Sequence, residues 1–194
     1  MSAIPITYMP GFLTLNEAAG YFAELSALLN WVRHDKTPRS EYYASVFGTP
    51  YTYGTPPFER TYQAQPFTPP LVSLREKAEQ AAGCKFDVVF LNRYHDKSDN
   101  LGWHADDSPE MDDSRPIAII SLGVERDIWF RGNDPASRSK SGFSAALGHA
   151  GLKLGHGSLC LMHAGMQDTH QHRIPKAGFM CGERISLTFR GVVK

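Results

Sequence analysis

The chain has 194 residues, of which 42% are hydrophobic and 21% charged, and its 20 basic side chains balance its 20 acidic ones. This composition is that of a globular protein and excludes a disordered, fibrous or strongly basic class, although local basic patches are compatible with it. The length suits one domain over residues 1–194. Three cysteines without CxxC spacing argue for a reducing compartment. Because no apolar run could span a membrane and no secretory signal is recognisable, we expect a cytoplasmic protein, or a nuclear or nucleoid one.

Two helices are predicted in the first half of the chain. Thr14 and Glu17 have the spacing of a capping box, and apolar residues follow at helical intervals over residues 14–32. A second helix is predicted over residues 69–82, with Thr68 as its cap, a proline in its first turn and a glycine after its end.

The segment between the helices, residues 36–67, is rich in prolines and aromatic residues. It is predicted to be either a surface loop packed on the domain or a substrate lid, since long loops in compact domains are often functional.

After residue 85 the sequence has the alternation and glycine-rich turns of β-structure. The predicted strands are Phe86–Tyr94, Pro116–Gly123, Asp127–Arg131, Gly151–Leu154, Ser158–His163 and Arg184–Val193. Helices followed by many short strands indicate an α+β fold, in which the strands form a sandwich or barrel and the helices support one sheet face.

A metal site is suggested by His104 and Asp106, which point to the same side of an extended chain. An imidazole and a carboxylate completed by a distant histidine make the 2-His-1-carboxylate set of non-haem Fe(II) oxygenases. His163, His170 and His172 are candidates for the third ligand, and spacing alone does not choose among them.

An anion site is suggested by the last predicted strand. Arg184 and Arg190 are six residues apart and share one face with Thr188, while the apolar residues between them face the other way. Asn92 and Tyr94 share a face of the first predicted strand in the same manner. A dicarboxylate held by the two guanidinium groups fits this arrangement, because arginine binds carboxylates through two hydrogen bonds. The alternative is an edge strand whose arginines pair with carboxylates of the protein.

Together these motifs resemble the AlkB family of Fe(II)- and 2-oxoglutarate-dependent nucleic-acid dealkylases. The ordered set is Asn92-x-Tyr94, His104-x-Asp106, His172 followed by Arg173-Ile174-Pro175, and Arg184-Ile-Ser-Leu-Thr-Phe-Arg190. The likeness extends from about residue 38 to residue 192 and is greatest to the eukaryotic DNA-repair branch. It implies a double-stranded β-helix, or jelly roll, buttressed by the N-terminal helices.

The resemblance also implies the cofactors and their ligands. Fe(II) and 2-oxoglutarate are the expected cofactors, O2 is the expected cosubstrate, and the family order selects His172 to complete the catalytic iron site with His104 and Asp106. The residues implied for 2-oxoglutarate are Asn92, Tyr94, Arg184 on the distal carboxylate, Arg190 near the iron-chelating carboxylate, and Thr188.

The implied reaction is oxidative dealkylation of N-alkylated bases in DNA or RNA, with release of succinate and an aldehyde. A flipped base needs an aromatic wall and a basic surface for its backbone. The residues proposed for these contacts are Tyr51, Tyr53, Arg39, Arg131, Arg138 and Lys140. Ser108 stands where the repair enzymes of the family carry an acidic residue, with Asp107 just before it, and both are expected near the base. The alternatives are hydroxylation of a small molecule or protein side chain, and a non-catalytic nucleic-acid-binding barrel.

Single-stranded substrate is the expected preference. Residues 34–37 are short and polar where the duplex-specialised family member has an apolar finger, which leaves Phe47 or Trp31 as the alternative wedge. We expect a monomer without an obligate protein partner.

Overall fold

A computed structural model describes residues 4–35, 37–54, 57 and 59–193. The strands within these ranges are β1 (Ile6–Met9), β2 (Ser40–Ser45), β3 (Tyr51–Tyr53), β4 (Arg60–Tyr62), β5 (Val88–Tyr94), β6 (Leu101–His104), β7 (Ile117–Gly123), β8 (Arg126–Gly132), β9 (Ala150–Leu154), β10 (Ser158–Met162), β11 (His170–Ile174) and β12 (Arg184–Arg190). The α-helices are α1 (Leu15–Leu28), α2 (Pro69–Ala82), α3 (Pro135–Arg138) and α4 (Met166–Thr169). None of the helices in these ranges has both the length and the apolar character needed to cross a membrane.

The strands form two antiparallel sheets and a separate hairpin. The larger sheet has the order β1-β10-β7-β12-β5-β2 and the smaller one has the order β6-β11-β8-β9. Apolar side chains from both sheets, among them Ile119 and Phe130, pack into one buried cluster between them. This arrangement is a double-stranded β-helix, so the predicted α+β jelly roll is confirmed.

Both N-terminal helices pack on the outer face of the larger sheet, as predicted. In α1 the Thr14 hydroxyl accepts a hydrogen bond from the Glu17 amide, and the Glu17 carboxylate accepts one from the Thr14 amide, which completes the capping box. Helix α1 ends at Leu28 rather than at residue 32, because Val32 pairs with the backbone of Glu41. Thr68 does precede α2, but its hydroxyl makes no capping hydrogen bond.

Strand β12 alternates as predicted. Ile185, Leu187 and Phe189 are fully buried against the helices, and the intervening polar side chains face the interior of the jelly roll. The strand pairs with β5 on one side and β7 on the other, in a register that places Ser186 opposite Asn92. The two strands that carry the predicted anion site are therefore neighbours.

The prediction that residues 36–67 form a loop is wrong for their first part. Strand β2 is a buried strand of the larger sheet and pairs with β5 from Ser40 to Ser45. Among the strands of the described residues, β3 and β4, which we call the lid hairpin, stand apart from the two main sheets. Residues 36, 55, 56 and 58 of the segment lie outside the described residues.

Candidate active site

The structure brings His104, Asp106 and His172 together at one end of the smaller sheet. His104 ends β6 and lies directly opposite His172 on β11, and Asp106 follows two residues after His104. The His104 Nε2 lies 3.7 Å from Asp106 Oδ1, and the His172 Nε2 lies 3.9 Å from Asp106 Oδ2. Because a metal bond to such atoms is about 2.1 Å long, one ion between them can reach all three side chains.

The protonation states of this group suit a metal ion. Burial lowers the pKa of both imidazoles, that of His172 to about 3, so both rings are neutral at physiological pH. Burial alone would raise the pKa of Asp106. Arg190 and the two histidines outweigh this effect and hold the pKa below its usual range. The Arg190 Nη2 lies 3.1 Å from Asp106 Oδ1. The Gly102 carbonyl can only accept the hydrogen bond that joins it to His104 Nδ1, which leaves the Nε2 lone pair free for a metal. Two neutral imidazoles and one carboxylate are the donor set of a non-haem iron site.

The other candidate histidines lie elsewhere. The His163 ring is hydrogen-bonded to Thr7, and the His170 ring to Thr169. Among the described residues, His172 is the histidine that joins His104 and Asp106, and the ligand atoms of these three all lie within 4.8 Å of one another. The structure thus selects among the three histidines where their spacing did not.

A candidate anion site surrounds Arg184. Arg184 is fully buried, with its guanidinium carbon 5.3 Å from the Tyr94 ring centroid. It donates to the hydroxyls of Ser121 and Ser186, but among the described residues no carboxylate pairs with it and its Nη1 has no partner. Burial lowers the pKa of Arg184 to about 10, so it remains a buried cation at neutral pH. A buried guanidinium of this kind calls for a carboxylate ligand.

A cleft lies beside the triad. It is lined by Asn92, Tyr94, Ser186, Thr188 and Arg190 as well as by the triad. The cleft therefore offers amide, phenol and hydroxyl groups next to the triad, and two of its lining residues, Tyr94 and Ser186, also contact Arg184. This arrangement suits a short dicarboxylate such as 2-oxoglutarate.

The mouth of the cleft is aromatic. Tyr51 of the lid hairpin is 4% exposed, whereas Tyr53 is 40% exposed. Tyr51 stacks on Tyr62 across the hairpin, with ring centroids 6.2 Å apart, and its hydroxyl is hydrogen-bonded to Ser108. Ser108 is thus engaged with the lid, and Asp107 beside it is exposed.

Comparison with known proteins places this site in a family. The profile of the 2OG-Fe(II) oxygenase superfamily matches residues 5–190. The chain belongs to that superfamily. Members of this superfamily use Fe(II) and 2-oxoglutarate as cofactors and O2 as cosubstrate. The two imidazoles and one carboxylate of the triad agree with Fe(II) as the metal.

Within the superfamily, the oxygenase belongs to the AlkB family. It is 31% identical to "Alpha-ketoglutarate-dependent dioxygenase alkB homolog 3" of Bos taurus over 94% of the chain and 64% of the relative, and 30% identical to "DNA oxidative demethylase ALKBH2" of Homo sapiens over 94% and 67%. The chain thus spans slightly less than two thirds of the alkB homolog 3 relative. The solved structure of OsALKBH1 shares the fold, with a TM-score of 0.64 at 14% identity over 98% of each chain.

Two of the basic residues proposed for nucleic acid are placed differently by the structure. Arg39 lies inside the cleft, where it donates to Asn92 and pairs with Glu41. Arg131 is 8% exposed, stacks on Trp103 and donates to Gln171. Both guanidinium groups are engaged within the oxygenase, so neither forms part of an exposed basic surface.

The remaining two basic residues, Arg138 and Lys140, are exposed. They lie in the segment after β8, which Arg131 and Arg173 anchor by donating to the backbone carbonyls of Lys140 and Ser141. Arg131 and Arg173 therefore support the segment that displays the exposed cations.

Three functional candidates were missed in the sequence. Gln167 accepts a hydrogen bond from the Asp106 backbone amide and so holds the backbone of this member of the triad. Glu41 is 2% exposed and contacts both the cleft and the lid hairpin, and Tyr62 lines the cleft. A signal for a strand at Glu41 was available, since the neighbouring Tyr42 and Tyr43 are of a residue type enriched in strands.

Proposed function

We propose that this oxygenase removes alkyl groups from N-alkylated bases in DNA or RNA, using 2-oxoglutarate and O2. The proposal rests on one observation above all: the cleft that contains the triad opens beneath an aromatic lid hairpin. The human relative named a DNA oxidative demethylase supports a nucleic-acid substrate.

His104, Asp106 and His172 would hold the iron, and Arg184, Asn92 and Tyr94 would hold 2-oxoglutarate. When bound, the two cofactors would supply an oxidation in which 2-oxoglutarate loses CO2 and takes up one oxygen atom of O2 to become succinate, while the other oxygen atom hydroxylates the N-alkyl carbon. The hydroxylated alkyl group then leaves as an aldehyde. Arg190 would orient the Asp106 carboxylate during this reaction, and Gln167 would hold the Asp106 backbone in place.

The lid hairpin is suited to hold an extruded base. Tyr53 is exposed at the cleft mouth, and Tyr51 and Tyr62 form an inner aromatic wall. Stacking on aromatic side chains contributes about 1–3 kcal/mol per base and accepts every base. Arg138 and Lys140 would contact the backbone.

Single-stranded substrate is the preferred class in this proposal. Flipping a base out of a duplex needs an apolar wedge. Trp31 cannot serve as this wedge, because it packs against the core and donates a hydrogen bond to the Leu25 carbonyl. Phe47, 52% exposed after β2, is the remaining apolar candidate.

The experiment compares one 15-mer carrying a single N-methylated base, alone and annealed, at one low salt concentration. We expect succinate release and demethylation to be faster on the single strand. Equal or faster repair of the duplex would contradict the strand preference and direct attention to Phe47→Ala. Absence of demethylation from both forms of DNA and from the matching RNA would contradict the proposed function itself.

The remaining parts of the proposal concern organisation. We propose that residues 1–194 form one dioxygenase domain that acts as a monomer in the cytoplasm, nucleus or nucleoid. The family match over residues 5–190 supports the first part, and sedimentation of the purified chain tests the second.

A further inference from the structure

Glu41 is a buried carboxylate that the proposed chemistry does not use. Its side chain is only 1% exposed, and it lies on β2 directly opposite Asn92 on β5. Burying a carboxylate is unfavourable unless it is paired and hydrogen-bonded, so its partners indicate what it is for.

The two oxygens of Glu41 face different parts of the site. Oε1 accepts from Arg39 Nη2 at 2.6 Å. Oε2 accepts from the Tyr62 hydroxyl at 3.1 Å and from Arg60 Nη1 at 3.3 Å, both on β4 of the lid hairpin. Burial and the charge of Glu41 raise the pKa of Tyr62 to about 12, so its hydroxyl stays protonated and donates.

The cleft side of this network ends at Asn92. Arg39 Nε donates to Asn92 Oδ1 at 2.6 Å. Since a guanidinium can only donate, this bond fixes the orientation of the amide and leaves its NH2 group for a ligand in the cleft. The orientation of Asn92 therefore depends on Arg39, which is held by the charged Glu41 at 2.6 Å and more weakly by the Asn100 carbonyl at 3.3 Å.

We propose that Glu41 is a positioning residue that couples 2-oxoglutarate binding at Asn92 to the lid hairpin, through Arg39 on one side and Tyr62 and Arg60 on the other. The inference builds on the proposed function, in which the lid hairpin holds the base. Cosubstrate binding would order the lid hairpin before nucleic acid arrives. By reciprocity, a nucleic acid that orders the lid hairpin would raise the affinity for 2-oxoglutarate by the same factor.

Glu41→Gln tests the coupling because a glutamine side chain has one acceptor oxygen and cannot serve both sides at full strength. Glu59→Gln is the matched control, since it makes the same change of charge at an exposed position beside β4. The measurement is backbone hydrogen–deuterium exchange in β3 and β4 of the full chain with Mn(II), with and without 2-oxoglutarate.

In the wild-type protein and in Glu59→Gln, we expect 2-oxoglutarate to slow exchange in β3 and β4 by about fivefold or more, the lower end of typical couplings. In Glu41→Gln the cosubstrate should still slow exchange in β5 and β12 but leave β3 and β4 nearly unchanged. Should Glu41→Gln not fold, Tyr62→Phe removes one lid-side bond and should lose at least half of the effect.

Two results would overturn the proposal: a wild-type lid hairpin that does not respond while β5 and β12 do, or a Glu41→Gln protein with the wild-type response. Because no nucleic acid is present, the readout is separate from the proposed function. If methylated oligonucleotides are not repaired but the exchange pattern is as expected, the proposed function fails and the coupling stands.

Discussion

Replacement of Arg184 by methionine should stabilise the protein in the absence of 2-oxoglutarate. Burial lowers the pKa of Arg184 from its usual 12.5 to about 10. At neutral pH Arg184 is protonated in both the folded and unfolded states. One pKa unit corresponds to about 1.4 kcal/mol, so burying this cation costs the folded state about 3 kcal/mol. The methionine also loses hydrogen bonds to Ser121 and Ser186, which contribute about 1 kcal/mol each. The free energy of unfolding should therefore rise by about 1 kcal/mol.

Arg126 provides the matched control. It is 2% exposed and lies against the same Tyr94 ring, with its guanidinium carbon 5.5 Å from the centroid. Unlike Arg184, it donates to three backbone carbonyls, those of Asp96, Asp99 and Pro175. Arg126→Met should lower the free energy of unfolding by about 3 kcal/mol, since three acceptors lose their donor.

The assay is urea unfolding with Mn(II), with and without 2-oxoglutarate. At one hundred times the dissociation constant, 2-oxoglutarate should stabilise the wild-type protein by about 2.7 kcal/mol, and Arg184→Met should lose most of this gain. Arg184→Lys should show a raised 2-oxoglutarate requirement, because lysine lacks the planar fork that grips both carboxylate oxygens. The reasoning is refuted if Arg184→Met is destabilised like Arg126→Met, or if it keeps the wild-type response to 2-oxoglutarate.

Three further predictions concern the metal, the basic segment and the core. Asp106→Ala should abolish Mn(II) binding in a metal titration and should abolish 2-oxoglutarate turnover. His170→Ala should keep the wild-type metal affinity in the same titration. Metal binding that survives in Asp106→Ala would contradict the assignment of the triad. Replacing Arg138 and Lys140 with alanine should weaken single-strand binding in anisotropy titrations. The slope of log K against log salt should fall by about 1.4, at about 0.7 per phosphate contact. Arg131→Ala should leave this slope unchanged and lower the free energy of unfolding in urea. Leu187→Ala, at a fully buried position between sheet and helices, should lower the free energy of unfolding by about 2–5 kcal/mol, and a loss below about 1 kcal/mol would contradict the core described above.

Elements with local signals were predictable from the sequence. Helix α1 has a capping box in four residues, and β12 alternates between apolar and polar side chains, so both could be recognised without knowing their neighbours. The two faces of β12 also gave the correct expectation that Arg184 is buried on the polar side.

Elements stabilised by distant partners were missed. Strands β6 and β11 contain glycine, glutamine and histidines instead of an apolar run, and they form because each pairs with a strand far away in the sequence. Spacing alone left the third metal ligand open for the same reason, since His172 is brought opposite His104 only by that pairing. The burial of Arg131 could not be predicted either, because its partners Trp103 and Gln171 lie on β6 and β11.

The most direct test of the proposed function is a balance of products. The chain is incubated with Fe(II), 2-oxoglutarate, air and a single-stranded oligonucleotide that carries one N-methylated base, and succinate, formaldehyde and the unmethylated base are quantified together. The account predicts equal amounts of all three, dependent on the oligonucleotide and absent in Asp106→Ala. Succinate that forms at the same rate without the oligonucleotide, while the methyl group remains on the base, would contradict it.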